Sequence, residues 1–219
     1  RCHVVDVRVQ QLDTATLPAT VGRVLQQVRE RSRHHGPPGA IVHRVVHGGE
    51  RFVQPTRIDD GVLAEIEGLS HLAPLHNPPP LAAIRRAREV YSQTVHVAVF
   101  DTAYHATLPA QAREYALPED LRRRFGIRRY GFHGISHAHV LHAVAAELKV
   151  AAEKLRIVSC HLGNGASVTA IEHGRSVDTS MGMTPLEGLV MGTRAGDLDP
   201  GILLELFRSG SFDGEKLDD

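Results

Sequence analysis

The sequence predicts an α/β fold with mixed sheets. Two observations predict it. Short β-branched runs alternate along the chain with stretches whose apolar residues recur at helical spacing. A cluster of short alternating runs at residues 156–180, separated by Gly-bearing turns, reads as antiparallel hairpins.

The elements follow in order. Residues 20–34 place Val21, Val24, Leu25 and Val28 on one helical face. The stretch HHGPPG, His34–Gly39, breaks that helix. Ala40–Val46 is a β-branched strand that runs into Gly48-Gly49. Residues 60–69 form a short helix. The prolines of Pro74–Pro80 exclude regular structure until Pro80 opens a helix, Leu81–Tyr91, at its first turn. Thr94–Phe100 is a second strand, with Asp101 just past its carboxyl end. Leu117–Phe125 holds a short helix, and Ser136 is placed to cap a longer one, Ser136–Lys149. Arg156–Leu162 and the run to Ser180 supply three short strands. Thr184-Pro185 is expected to open another helix with Pro185 in its first turn, and Asp199-Pro200 to open the last one.

Composition excludes several function classes. The chain has 219 residues, with 25 basic and 25 acidic side chains and zero formal net charge. Such a balance gives no general attraction to nucleic acid or a membrane surface. The arginine-aromatic stretch RRRFGIRRYGF is accordingly read as a solvated face. No apolar run approaches the ~18 residues that span a bilayer, and no signal-peptide pattern is present, so a cytoplasmic protein is expected. Two cysteines, Cys2 and Cys160, make no disulfide framework. Cys160 lies in an apolar run and is expected to pack as a small hydrophobe.

Several stretches carry chemistry. SCHLGNGASVTAI, Ser159–Ile171, has a Gly-x-Gly after a strand. A dinucleotide fingerprint needs a helix next, and here a second strand follows, so that reading fails. Two compatible readings remain: a tight Asn-Gly hairpin turn, and a turn whose backbone N–H groups approach an anion closely, helped by His161 and Asn164. Arg44, inside an apolar strand, calls for an anionic partner, either a structural carboxylate or a ligand. Arg194 sits in the Gly-punctuated loop Met191–Pro200, either a solvated turn or a second anion site. Asp101, at a strand's carboxyl end, caps a loop or holds Mg²⁺, which takes one or two carboxylates and keeps its waters. His133, His137, His139 and His142 invite a zinc reading, but no Cys or carboxylate completes a ligand set. His133 between Phe132 and Gly134 reads better as a single placed donor.

In this order the motifs resemble one family. HRVVHGGE, PLHNPP, VFDTAYHATLP, RRYGFHGISH, HLGNGASVTAI and DTSMGMTPLEGLVMGTRAGDLDP are similar to the successive motifs of acetate kinases, in the acetate and sugar kinase/Hsp70/actin superfamily. The resemblance runs from about Ala40 to Ile202. It implies two ribonuclease-H-like domains with a cleft between them, and transfer of the ATP γ-phosphoryl to acetate, reversibly; propionate is an alternative acid. It implies that Arg44 and Arg194 hold the carboxylate and the phosphoryl in flight. His133 donates to that phosphoryl, and Asp101 is the catalytic aspartate near Mg²⁺, with Mn²⁺ an alternative. His161, Leu162, Gly163, Asn164 and Gly165 form the phosphate-binding hairpin, and His76 is a further active-site histidine. Val46, Leu75, Phe132 and Pro185 surround the acetate methyl. A homodimer is implied as well.

The family's opening phosphate loop and its closing adenosine segment are not found here. The chain therefore reads as a central segment, with residues 1–103 the remainder of the N-terminal domain and 104–219 the first part of the C-terminal one. On that reading the chain alone is expected to be poorly active. The competing expectation is a non-catalytic remnant that binds an anion or a partner protein.

Overall fold

A computed structural model describes residues 17–31, 34, 36–72 and 77–210. It contains two three-stranded sheets, joined through the segment that follows Asp101. The mixed α/β class expected from the sequence is what the chain adopts.

The first sheet has the order β1-β3-β2. Strand β1, Ala40–Val45, runs parallel to β3, Val95–Phe100, with Arg44 opposite Val99. The short β2, Thr56–Arg57, pairs antiparallel with β3 on its other side. Strand periodicity then sorts the side chains. Val45, Ala98 and Phe100 face a core closed by Phe52, Ile58, and the helices α2, Asp60–Gly68, and α3, Pro78–Val90. Ile66, Ile84 and Phe100 are among its fully buried side chains. Each contributes about 1.5–3 kcal/mol by leaving water. Asp59 caps α2 by accepting the Val62 N–H at 2.8 Å. Helix α3 starts at Pro78, two residues before the expected proline, because all three prolines fit a first turn that needs no intrahelical N–H donors. Helix α1, Leu17–Arg31, lies against α3.

The second sheet is an antiparallel meander, β4-β5-β6, formed by Arg156–Leu162, Ala166–Glu172 and Arg175–Thr179. Leu162 pairs with Ala166, which leaves Gly163, Asn164 and Gly165 as the connecting loop. Helix α6, Gly134–Leu148, packs on one face of this sheet and buries Leu141 against Leu155 and Ile171. Two short helices, α4, Ala110–Arg113, and α5, Glu119–Phe125, precede it. Helix α7, Pro200–Arg208, begins as expected with Asp199 accepting the Gly201 N–H at 2.8 Å.

Three expectations are corrected. Cys160 is exposed rather than packed, because β4 alternates and puts Cys160 on the outer face with Val158 and Leu162. Ser136 does not cap α6. That helix begins at Gly134, with His133 at the cap position in the left-handed conformation, φ 59°. The Gly134 N–H is taken by the Asp101 carbonyl at 2.9 Å, which fixes the earlier start. No helix follows Thr184-Pro185. The Pro185 carbonyl accepts from Arg194 at 3.1 Å, and the Asp197 carboxylate takes the Gly188 N–H at 2.8 Å. These bonds, with Gly188 at φ 108° and Gly196 at φ 76°, fold the stretch as an irregular loop.

Gly134 sits where the two sheets meet. A Cβ there would lie 2.2 Å from the Asp101 carbonyl oxygen, a backbone atom that cannot turn aside. Alanine is otherwise favoured over glycine in a helix by about 1 kcal/mol. Gly134→Ala is nevertheless expected to destabilise the chain by about 1–3 kcal/mol, as overpacking does, read as a lower midpoint in urea. An unchanged or raised midpoint would show that the contact has slack.

Candidate active site

The carboxyl ends of β1 and β3 supply the first two groups. Arg44 lies opposite Val99, and Asp101 is two residues further along, so both point to the same face of the sheet. Arg44 Nε donates to Asp101 Oδ1 at 2.9 Å and Nη2 to Oδ2 at 2.5 Å, a two-pronged pair. The Asp101 side chain is 2% exposed and that of Arg44 59% exposed. The hydrogen bond to Asp101 raises the Arg44 pKa above its ordinary value. The pair thus presents a fixed cation on its open side.

His133 comes next, carried by the left-handed turn that opens α6. Strain of that kind in a non-glycine residue persists where surrounding contacts over-determine it. Its Nδ1 pairs with Ser167 Oγ at 2.9 Å. Its ring stacks on His161, centroids 4.0 Å apart. His161 Nδ1 in turn pairs with Ser136 Oγ at 2.9 Å. Burial first, and then His161, push the His133 pKa down from 6.5 to about 4, so the ring is neutral near pH 7.

The hairpin and the Gly-punctuated loop close the site. The Gly192 N–H donates to the Asn164 carbonyl at 3.1 Å, which docks the loop carrying Arg194 on the hairpin. Arg194 Nη1 is held by the Pro185 carbonyl at 3.1 Å and Met191 Sδ at 3.7 Å. A Cβ built on Gly165 would lie 3.4 Å from both His133 Nε2 and Arg194 Nη1. Neither Gly163 nor Gly165 has a positive φ. The turn itself therefore does not demand glycine at Gly165, and a Cβ there would meet His133 and Arg194 only at ordinary contact distance.

The structure so brings together Arg44, Asp101, His133, His161, Gly165 and Arg194. Leu162 and Asn164 are exposed on the hairpin, and Gly163 with them. Phe132 and Pro185 are buried, and Val46 half-buried. Leu75 and His76 lie outside the described residues. His139 and His142 are exposed while His137 is fully buried, so the zinc reading scatters over two sides of α6. Among the described residues no group of three or more His, Cys, Asp or Glu is arranged to hold a metal ion. A separate cleft of about 780 Å³ is lined by Arg57, Asp59, Arg85 and Arg88, of which Arg85 and Arg88 are already paired with Glu67 and Asp60.

Sequence reasoning missed the polar groups behind the site: Ser136, Ser159, Ser167 and His105. His105, 1% exposed, pairs with Ser176 Oγ at 2.8 Å and the Phe132 carbonyl at 2.9 Å. Strand alternation held the signal. His161 lies opposite Ser167 in the β4–β5 register, so Ser159, His161 and Ser167 share the face that α6 covers.

Comparison with known proteins gives one consistent picture. Residues 6–216 match the model of the acetokinase family. The chain is 57% identical over 177 residues to the acetate kinase of Clavibacter sepedonicus, covering 81% of this chain and 45% of that protein. It is 54% identical over 178 residues to acetate kinase 1 of Vibrio cholerae, again 81% of this chain and 45% of that one. Among solved structures, Porphyromonas gingivalis acetate kinase superposes with a TM-score of 0.83 at 39% identity, covering 92% of this chain and 51% of that one. A propionate kinase from Francisella tularensis gives 0.85 at 41% identity, with 90% and 51% covered. The chain spans about half the length of the relatives it matches.

The buried histidines set a pH dependence. Burial lowers His105 from 6.5 to about 4, and His133 and His137 likewise. Between those values the unfolded chain binds more protons, so stability rises with pH over that window and is lost as pH falls from about 6.5 through about 4. For the nearly inaccessible His105 the effect is on the order of 3 kcal/mol. Urea melts at about pH 7 and about pH 4.5 are expected to show the loss, and His105→Asn to flatten it. Equal stability at the two values would contradict the burial argument.

Proposed function

We propose, from the premise that the chain belongs to the acetokinase family, that it carries the phosphoryl-transfer centre of a short-chain carboxylate kinase. In this reaction a carboxylate oxygen of acetate attacks the γ-phosphorus of ATP. The bond from phosphorus to the ADP oxygen breaks, and acetyl phosphate and ADP form; the reverse direction uses the same groups. Propionate is an alternative acid, since one methylene in an apolar pocket changes selectivity by only about 1–3 kcal/mol.

The observation that carries this reading is the convergence of His133 Nε2 and Arg194 Nη1 beside Gly165, each 3.4 Å from where a Cβ on that residue would stand. Phosphoryl transfer asks a protein for position and charge neutralisation more than for covalent chemistry. Arg44 and Arg194 supply fixed cations against the charge of a loose transition state. His133, neutral near pH 7, donates one hydrogen bond to the equatorial oxygens. The backbone of His161–Gly165 takes the other phosphates. Phe132, Val46 and Pro185 form the apolar side for the acid's methyl group.

Asp101 fits a divalent cation. It is a buried carboxylate at the site, and the two bonds from Arg44 leave lone pairs on its oxygens. Mg²⁺ accepts one or two carboxylates beside waters and phosphate oxygens, and Mn²⁺ has similar demands. When bound, the ion neutralises phosphate charge. We assign residues 1–103 and 104–219 to the two domains that flank the cleft, and the cytoplasm as the compartment.

A chimera tests the assignment: residues 40–202 of this chain replace the matching stretch of the Clavibacter sepedonicus enzyme. It is expected to form acetyl phosphate, trapped as the hydroxamate. Arg194→Ala is expected to lower kcat on the order of 10²–10³-fold. A folded chimera with no turnover would favour a non-catalytic remnant. Near-normal turnover by Arg194→Ala would remove that residue from its role.

Gly165→Ala separates turn from ligand site. Its Cβ meets only ordinary contacts, so stability is expected to change by less than about 1 kcal/mol. Phosphoryl transfer is expected to fail, because the methyl group fills the anion's place. A variant that loses its fold instead would make Gly165 a structural residue.

A further inference from the structure

Behind His133 runs a chain of buried hydrogen bonds that the proposed reaction does not itself require. His133 Nδ1 pairs with Ser167 Oγ at 2.9 Å. The same oxygen pairs with His137 Nε2 at 2.8 Å. His137 Nδ1 pairs with Ser159 Oγ at 2.9 Å. His137 and Ser167 are fully buried and Ser159 is 2% exposed. The chain thus leads from His133 into the interface between α6 and the second sheet.

We propose that Ser167 and His137, anchored by Ser159, are positioning residues that hold the proton of His133 on Nε2, the ring nitrogen beside Gly165 and Arg194. The proposal rests on the phosphoryl-transfer reading of the site.

Because the buried Ser167 hydroxyl must place its own hydrogen, it donates to one ring and accepts from the other, and the bonds can run in two senses. In one, Ser159 donates to His137 Nδ1, His137 Nε2–H donates to Ser167, and the Ser167 hydroxyl donates to His133 Nδ1. The His133 proton is then on Nε2. In the other, every bond reverses, and His133 offers a bare Nε2 lone pair to the cleft. The far end of the chain decides between them. Among the described residues Ser159 Oγ has one partner, the His137 ring. In the reversed sense Ser159 would only accept there, and its buried O–H would have no acceptor. Leaving a buried donor unmade is the costly choice. In the forward sense that hydrogen is used, and each hydroxyl and each ring contributes one donor.

The near end agrees. Among the described residues His133 Nε2 makes no hydrogen bond, and Arg194 Nη1 already donates to Pro185 and Met191. An anion entering beside Gly165 meets an N–H only in the forward sense; a lone pair there would repel it. Burial holds both His133 and His137 neutral near pH 7, with pKa values lowered to about 4. A neutral imidazole has one N–H, so its placement matters; a protonated ring would donate from both nitrogens. The left-handed backbone and the His161 stack fix where the ring stands. The relay fixes which edge of it donates.

The test reads the tautomer directly. In the full 219-residue chain, labelled with ¹⁵N-histidine, long-range ¹H–¹⁵N correlation spectra distinguish protonated from bare ring nitrogens. His133 and His137 are each expected to carry the proton on Nε2, as one tautomer without averaging. Ser167→Ala is expected to leave His133 averaging between tautomers, and Ser167→Thr, which keeps the hydroxyl, to restore the single form. In the chimera, Ser167→Ala is expected to lower kcat about tenfold to a hundredfold, as losing a group that orients a functional ring does elsewhere, with KM for acetate little changed. An Nδ1–H His133 in the unaltered chain overturns the proposal. So does a single unchanged tautomer in Ser167→Ala. Where Ser167→Ala fails to fold, the unaltered chain and Ser167→Thr still give the reading. A chimera without turnover would sink the kinase reading and leave the tautomer result to decide the relay.

Discussion

The site depends on one close approach. The Asp101 carbonyl, at the end of β3, accepts the Gly134 N–H, and nothing larger than hydrogen fits at the Gly134 α-carbon. This contact ties the parallel sheet to the helix that backs the antiparallel one. It places the side chain of Asp101 beneath the turn that carries His133. It also holds the N-terminus of α6, with its positive dipole end, against Asp101. Arg44 and His133, 89 residues apart in sequence, become neighbours because of it.

Electrostatics then follow from burial. A lone buried carboxylate is costly, and Arg44 offsets that cost with two hydrogen bonds to Asp101. The pair is lopsided, since the aspartate is covered and the arginine half open. An anion in the cleft therefore meets the guanidinium. Among the described residues Arg194 is held by neutral partners alone, a carbonyl and a thioether, so no carboxylate of the loop cancels its charge. Two cations and one neutral imidazole suit a transferring phosphoryl, whose charge is spread over three oxygens.

Much of this was legible in the sequence. The β-branched runs gave every strand except the two-residue β2, and Asp101 at a strand end and Arg44 within a strand stood out because such residue types rarely occupy such positions without a partner. What stayed hidden has physical causes. The helix expected after Pro185 gives way because Arg194, nine residues on, takes the carbonyl that a helix needs. Ser136 has good capping chemistry, yet the tertiary bond from Asp101 starts α6 two residues earlier and frees Ser136 for His161. Cys160 looked apolar by its neighbours, whereas strand alternation decides its face. Ser159 and Ser167 looked like ordinary strand residues, since only the β4–β5 register and the helix above them bring their hydroxyls to a histidine.

The most direct test of the central claim is a titration of the ¹⁵N-labelled chain with acetyl phosphate, followed by backbone amide shifts. The account predicts saturable shifts at Gly163, Gly165 and His133, which vanish in Arg194→Ala. Shifts confined to the separate cleft lined by Arg57, Asp59, Arg85 and Arg88, with the hairpin unmoved, would contradict it.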